Sequence, residues 1–168
     1  MALNLFIQPP EIVQLDTDRV IFLAGPIQGA PDWQSEAAKT IHSIDSSIVV
    51  ASPRKAYKPD EFVYEKQVDW ETHFLRLSGK NGVVIFWLPK QIAETPGRSY
   101  AQTTRFELAE WKMRHEHDGS RIIIGIQDGF GNERYIRRRF GQDDPDVVIT
   151  DSLEDLCRRA VELLTFDK

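Results

Sequence analysis

Cysteine is almost absent from this chain of 168 residues, which contains Cys157 alone. One cysteine cannot build a disulfide framework or a cysteine-based zinc site within one chain, so we expect a reducing, cytoplasmic setting. Long apolar runs are missing too: no stretch of 18 apolar residues is present, which argues against a transmembrane helix. The N-terminal sequence also lacks the basic start and long apolar centre of a secretion signal.

Basic residues are fewer than acidic residues. Lys and Arg number 21 against 26 Asp and Glu, so the formal net charge is −5. A duplex nucleic acid usually needs a basic face, and we therefore expect no polymeric nucleic acid as partner. The four histidines show no HExxH or similar spacing, which gives no indication of a metal site, and the glycines form no GxGxxG dinucleotide motif.

What the chain does have is an alternation of apolar runs and amphipathic segments. Five short apolar runs are typical of parallel strands covered on both faces, and they span 19–24, 47–51, 82–88, 121–126 and 146–150. Four segments have apolar residues at helical spacing, at 33–44, 62–77, 101–115 and 151–164. This alternation predicts one α/β domain with a parallel sheet over 19–168, after an irregular lead-in at 1–18.

Ligands of such sheets lie at the carboxyl ends of the strands, which draws attention to the loops at 25–33, 52–60, 89–104 and 127–135. In the first loop, Gly25 and Gly29 allow close backbone approach, and free N–H groups there could hold an anion or a hydroxyl. An ordinary strand-to-helix turn explains the same glycines equally simply.

Two segments contain carboxylates that could act in acid–base or nucleophilic catalysis. Asp69 and Glu71 flank Trp70, although Asp69 and His73 are also spaced to pair on a solvated helix face. Glu107 falls early in a predicted helix after an apolar strand, where an ionised carboxylate of ordinary pKa facing a ligand could act as a nucleophile. The alternative is structural, because Thr104 and Glu107 have the spacing of a capping box, as do Asp151 and Glu154.

Together these segments resemble the nucleoside 2-deoxyribosyltransferase family, and especially its short bacterial and phage-type branch. The resemblance rests on FLAGPI (22–27) with Trp33 after it, SPRK (52–55), QVDWE (67–71), GVVIFWLP (82–89) and YAQTTRFELAEW (100–111), which occur in the family's order.

The resemblance implies a Rossmann-like or flavodoxin-like three-layer α/β/α sandwich with a five-stranded parallel sheet. It implies cleavage of the N-glycosidic bond of a nucleoside or nucleoside 5′-monophosphate through a covalent glycosyl–carboxylate intermediate, without a metal or redox cofactor. Glu107 matches the family's nucleophile. Glu71, or less closely Asp69, matches the carboxylate that gives a proton to the leaving base.

The resemblance also implies a substrate pocket. Gly25, Pro26 and Gln28 are expected to line the sugar, and Trp33 and Trp70 to flank the base, although core packing is the usual fate of large aromatic residues. The remaining candidates for substrate binding are Arg98, Thr103, Thr104 and Arg105. A homo-oligomer with shared active sites is the expected assembly.

Two departures from the family pattern leave alternatives open. Ala101 stands where many members carry an Asp or Ser that touches the 5′ side of the sugar, and the stretch 78–82 reads as a short insertion. The expected activity is transfer of the sugar to another base. A hydrolase that uses water as acceptor and a nucleotide-binding sensor without catalysis are the alternatives.

Overall fold

Six parallel strands form the sheet of the computed structural model, which describes residues 5–166. In chain order they are β1 (Phe6–Ile7), β2 (Val20–Ala24), β3 (Val49–Ala51), β4 (Val83–Leu88), β5 (Ile122–Ile126) and β6 (Ile149–Thr150). Their order across the sheet is β1-β3-β2-β4-β5-β6, and every neighbouring pair is parallel. Every residue of β2 and β4 is buried, in agreement with continuous apolar runs covered on both faces.

The five helices cover both faces of this sheet. They are α1 (Trp33–Ile44), α2 (Tyr64–Asn81), α3 (Gln102–Asp118), α4 (Glu133–Asp143) and α5 (Leu153–Phe166). Two apolar cores result, one beneath α1 and α5 and the other beneath α2, α3 and α4. Without β1, the strand order is that of flavodoxin-like folds, so the expected fold class is confirmed.

The sheet has six strands where the resemblance implied five. The additional strand, β1, lies in the segment 1–18 that was expected to be irregular, of which residues 1–4 fall outside the described residues. It pairs with the edge strand β3 through Phe6 opposite Val50 and Ile7 opposite Ala51. A strand of two residues is too short for a recognisable side-chain alternation, and this explains why the sequence did not reveal it.

The stretch 78–82, which reads as a short insertion, forms the end of helix α2, which continues to Asn81 and has Gly82 as its C-cap. This final turn contains Gly79, which packs against the indole ring of Trp111 on α3. A methyl group at Gly79 would lie 2.1 Å from a ring carbon of Trp111, so the two helices approach as closely as they do because this residue has no side chain.

Both predicted capping boxes are wrong. The N-cap of α3 is Ala101, with φ of 56° and no side-chain cap, which places Thr104 and Glu107 inside the helix. At the start of α5, the hydroxyl of Ser152 accepts from the backbone N–H of Asp155. Thr104 and Glu107 have the spacing inside a helix, where the side chains have no free N–H groups to bind, whereas Asp151 lies one residue before the capping Ser152.

The strand order places a crevice between β2 and β4. These strands are neighbours, but their following helices, α1 and α3, cover opposite faces of the sheet. Ligands of open α/β sheets bind at such a reversal, outside the carboxyl ends of the strands. Within residues 5–166, no helix is long and apolar enough to cross a membrane.

The contact between Gly79 and Trp111 gives a prediction about stability. We expect Gly79→Ala to lower the free energy of unfolding by about 1–3 kcal/mol, because the added methyl group overlaps the indole ring. Gly141→Ala in α4 is the matched control, since nothing lies within 4 Å of a methyl group there, and it should stabilise by about 0.5–1 kcal/mol. Urea unfolding measures both. Equal effects of the two substitutions would contradict the close packing of α2 on α3.

Candidate active site

Two glutamates from neighbouring helices form the chemical centre of the candidate site. Glu71 belongs to α2 and Glu107 to α3, and both side chains are half-buried on the same face of the sheet. They are close enough for the negative charge of Glu71 to raise the pKa of Glu107. The structure therefore brings together the two carboxylates for which the sequence suggested catalytic roles.

The pKa of Glu107 is not ordinary, and here the expectation from the sequence is corrected. Burial raises this pKa most, the charges of Glu71 and Glu110 raise it further, and it reaches about 8. The expectation assumed a place in the first turn of the helix, where the helix dipole favours the ionised form. Because α3 begins at Gln102, Glu107 lies in the second turn and gains less from the dipole.

Glu71 is held in place by Gln67, a residue without an expected role of its own. The Gln67 amide Nε2 donates to Glu71 Oε1 at 2.7 Å and to the carbonyl of Pro53 at 3.0 Å. Burial raises the pKa of Glu71, and the hydrogen bond from Gln67 lowers it in part. The only sequence signal for this contact is the separation of four residues along one helix face.

Asp69 stands apart from this pair. Its side chain is exposed, and no hydrogen bond or ion pair involves it within residues 5–166. The ring of His73 packs edge-on against Phe74, so the alternative of an Asp69–His73 pair is not observed. Of the two candidates beside Trp70, the geometry favours Glu71 for work at the same centre as Glu107.

Trp33 and Trp70 do not flank an open pocket, which corrects the role expected for them. Their exposed fractions are 1% and 0%, and each indole N–H donates to a backbone carbonyl at 3.0 Å, Trp33 to Pro26 and Trp70 to Glu11. Neither ring offers a face for stacking on a base. Both instead support the site from within the core, where large aromatic residues usually lie.

The loop after β2 is shaped by its glycines. A methyl group at Gly25 would lie 2.4 Å from the carbonyl oxygen of Trp87, and one at Gly29 would lie 2.6 Å from that of Ala93. Gly29 also has φ of 74°, which favours glycine. The close approach brings this loop against the segment that follows β4, which is the crevice where the fold places a ligand.

The predicted pocket residues of this loop occupy different environments. Pro26 is buried and its carbonyl is held by Trp33, whereas Gln28 is exposed. Arg98 Nη1 donates to Gln28 Oε1 at 2.9 Å and thereby joins the loops after β2 and β4. Arg98 also lines a cavity of about 430 Å³ formed by Gln91, Glu94, Thr95, Pro96, Gly97, Arg98 and Tyr100.

The candidates at the start of α3 are only partly available. Arg105 lies over the ring of Phe130 at 4.5 Å and donates to the carbonyl of Gly131 at 2.6 Å, so it anchors the loop after β5. Thr104 is buried, and Thr103 is exposed. Within the described range, no group of three or more His, Cys, Asp or Glu side chains could hold a metal ion.

Comparison of the chain with models of protein families finds no match. A search of curated proteins likewise finds no sequence that matches it.

The coupling of the two carboxylates gives a second prediction. We expect Glu71→Gln to lower the pKa of Glu107 below about 8, because the negative charge that raises it is removed, while burial keeps it above an ordinary value. NMR titration of the Glu107 carboxyl carbon measures the shift. Asp69→Asn is the matched control and should leave it unchanged. An equal shift in both variants would show that Glu71 is not the coupled group.

Proposed function

We propose that this protein is an enzyme that cleaves the N-glycosidic bond of a nucleoside or nucleoside 5′-monophosphate and transfers the sugar to another base. The observation that carries the proposal is the interaction of two half-buried carboxylates, Glu71 and Glu107, on one face of a flavodoxin-like sheet. Retaining glycoside cleavage uses a pair of carboxyl groups, of which one attacks the sugar and the other gives a proton to the leaving group. The motif resemblance supports the same chemistry.

In the reactive form, the pair carries one proton, which is on Glu71. An ionised oxygen of Glu107 attacks C1′ as the bond from C1′ to the base nitrogen breaks, and Glu71 gives its proton to the departing base. The sugar is then esterified to Glu107. A second base attacks C1′, the bond between C1′ and the Glu107 oxygen breaks to release the carboxylate, and the incoming base returns a proton to Glu71. The charge interaction supports a single shared proton, because two adjacent carboxylates rarely ionise together. Since the charge of Glu71 raises the pKa of Glu107, the resting pair holds this proton on Glu107, and it passes to Glu71 before the attack.

The loop after β2, which contains Gly25, Pro26 and Gln28, is the proposed binding site of the sugar; Gln28 is exposed there and Pro26 is buried beneath it. Glycines let the backbone approach a ligand closely, and the loop lies at the reversal of strand order. Arg98 extends this surface toward the cavity after β4, where its guanidinium suits a phosphate group.

A homo-oligomer belongs to the same proposal. Helix α3 has apolar side chains on both sides: Leu108 and Trp111 are buried, whereas Phe106 and Met113 are 74% and 48% exposed. Phe106 immediately precedes Glu107. A second copy of the chain on this face would cover these apolar groups and reduce the access of water to the carboxylates.

Substitution of Glu107 tests the chemistry. We expect Glu107→Gln to reduce base release from a deoxynucleoside or its 5′-monophosphate by roughly a thousandfold or more, because the amide does not form the ester. Wild-type protein quenched during turnover should show a sugar-sized mass on Glu107 by peptide mass spectrometry. Glu65→Gln, at an exposed position of α2, is the control and should keep wild-type turnover. Unchanged release in Glu107→Gln would overturn the proposal.

The same assay identifies the acceptor. When a second free base is added, a transferase forms the exchanged nucleoside. A hydrolase yields free sugar and free base only, and a sensor module binds the nucleotide without releasing either product. The proposal predicts the exchanged nucleoside.

The raised pKa values predict the pH dependence of turnover. Because the reactive pair holds one proton, kcat/KM should fall at high pH as the last proton leaves, near the pKa of about 8, and fall again at low pH when both carboxylates are protonated. Initial rates between pH 4 and about 10 measure this profile. A rate that keeps rising through the alkaline range would contradict the need for a proton on the pair.

A further inference from the structure

Arg54, which follows β3, binds the loop after β2 through several backbone carbonyls. Its Nη1 donates to the carbonyl of Pro31 at 2.7 Å, and its Nη2 donates to those of Ile27 at 3.3 Å and Ala30 at 3.5 Å. Nη1 also donates to Gln34 Oε1 at 3.0 Å. One planar guanidinium therefore fixes three carbonyls within five residues of this loop.

These bonds require arginine rather than a positive charge alone. The acidic neighbour Asp32 has Oδ1 at 3.5 Å from Nη1, but its side chain is 55% exposed, so most of the partners are neutral oxygens. A guanidinium presents donors from two nitrogens in a fixed plane, whereas a lysine ammonium is a single point with three donors. Lysine cannot reach the same set of carbonyls at once.

The Arg54 contact also sets the direction of a backbone donor. The peptide bond between Ile27 and Gln28 is trans, so its C=O and N–H point in opposite directions. Because the Ile27 carbonyl faces Arg54, the N–H of Gln28 faces away from it. Ile27 also accepts from the N–H of Ala30, which closes a tight turn through Gln28 and Gly29, with Gly29 in the left-handed region.

This N–H of Gln28 is unused in the part of the chain that the structure describes, where no hydrogen bond from it is found. The side chain of the same residue is occupied, since Gln28 Oε1 accepts from Arg98. Arg54 holds the turn through the carbonyls of Ile27 and Ala30, and Arg98 holds it through the side chain of Gln28. The backbone N–H of Gln28 is thus fixed in position. A fixed and unpaired N–H is suited to a hydroxyl or phosphate oxygen.

We propose that Arg54 is a positioning residue that holds the turn at 27–30 so that the backbone N–H of Gln28 binds an oxygen of the nucleoside or nucleotide substrate. The identity of the ligand rests on the proposed function. The positioning itself rests on the hydrogen bonds of the guanidinium alone.

The neighbouring residue connects the same segment to the catalytic pair. The carbonyl of Pro53 accepts from Gln67, whose amide also donates to Glu71. The side chain of Arg54 therefore holds the loop after β2. The carbonyl of Pro53 holds Gln67, which in turn holds Glu71. A shift of Arg54 affects the binding loop first, because the link to Glu71 uses backbone atoms that a substitution at Arg54 retains.

Arg54→Lys and Arg54→Met in the full chain test the proposal. Within the loop at 27–32, hydrogen–deuterium exchange of the Ala30 amide, which donates to Ile27 and closes the turn, should become at least about tenfold faster in both variants, since the bonds from the guanidinium that restrain this turn are lost. Arg19→Lys is the matched control: Arg19 is half-buried and binds Asp45 and Ser47 at the amino edge of the sheet. It should leave exchange at 27–32 unchanged. Circular dichroism verifies folding, and Arg54→Lys serves if Arg54→Met does not fold.

A second measurement uses a deoxynucleoside 5′-monophosphate as probe. It should shift the NMR signal of the Gln28 amide in the wild type, and Arg54→Lys should raise KM for base release at least about tenfold while kcat changes less than about threefold. Exchange at 27–32 within twofold of the wild type in Arg54→Lys, or a fall in kcat with KM unchanged, would overturn the inference. A wild type that binds no nucleotide, together with selectively faster exchange, would overturn the proposed function but support the positioning of the loop by Arg54.

Discussion

Burial of the central strands on both faces is the constraint on which the rest of this structure depends. Every residue of β2 and β4 is buried between two helical layers, and those strands therefore accept apolar side chains only. Polar chemistry is confined to the loops beyond their carboxyl ends and to the helix positions near them. The reversal of strand order between β2 and β4 then places the loop at 25–32 and the segment after β4 against each other.

The two glutamates show what such confinement does to a carboxylate. On a solvated helix face, Glu107 would ionise at an ordinary pKa, but burial and the charge of Glu71 raise it to about 8. An acid of raised pKa destabilises the folded state increasingly as pH rises above the pKa of the unfolded chain, until it ionises in the folded state too. The folded state gains nothing in stability from this arrangement. Groups with raised pKa values of this kind are concentrated at sites that do chemistry.

Sequence patterns predicted the fold well because buried strands require continuous runs of apolar residues, which are easily recognised in the sequence. Helix α1 was predicted at 33–44, where it lies, and five strands overlap the predicted runs. Glu71 and Glu107 were identified through their motifs. The pKa of Glu107 was not predicted, because it depends on burial and on the charge of Glu71, 36 positions away, which only the fold brings close. Trp33 and Trp70 were assigned to the pocket because periodicity cannot distinguish a buried ring at a strand end from an open one. Arg54 belongs to the SPRK motif, but its role was not predicted, since its partners are backbone carbonyls and any sequence provides those.

The glycine contact between helices α2 and α3 has a consequence for the pKa of Glu107. Gly79 lets the ring of Trp111 approach the α2 backbone, and the spacing of packed helices follows the size of the side chains between them. Glu71 lies two turns before Gly79, and Glu107 one turn before Trp111, so this contact helps to set the gap across which their charges repel. The lack of a side chain at Gly79 therefore affects the distance between the two carboxyl groups, and through this distance the pKa of Glu107. A larger residue at Gly79 that moved the two helices apart would weaken this repulsion and lower the pKa of Glu107.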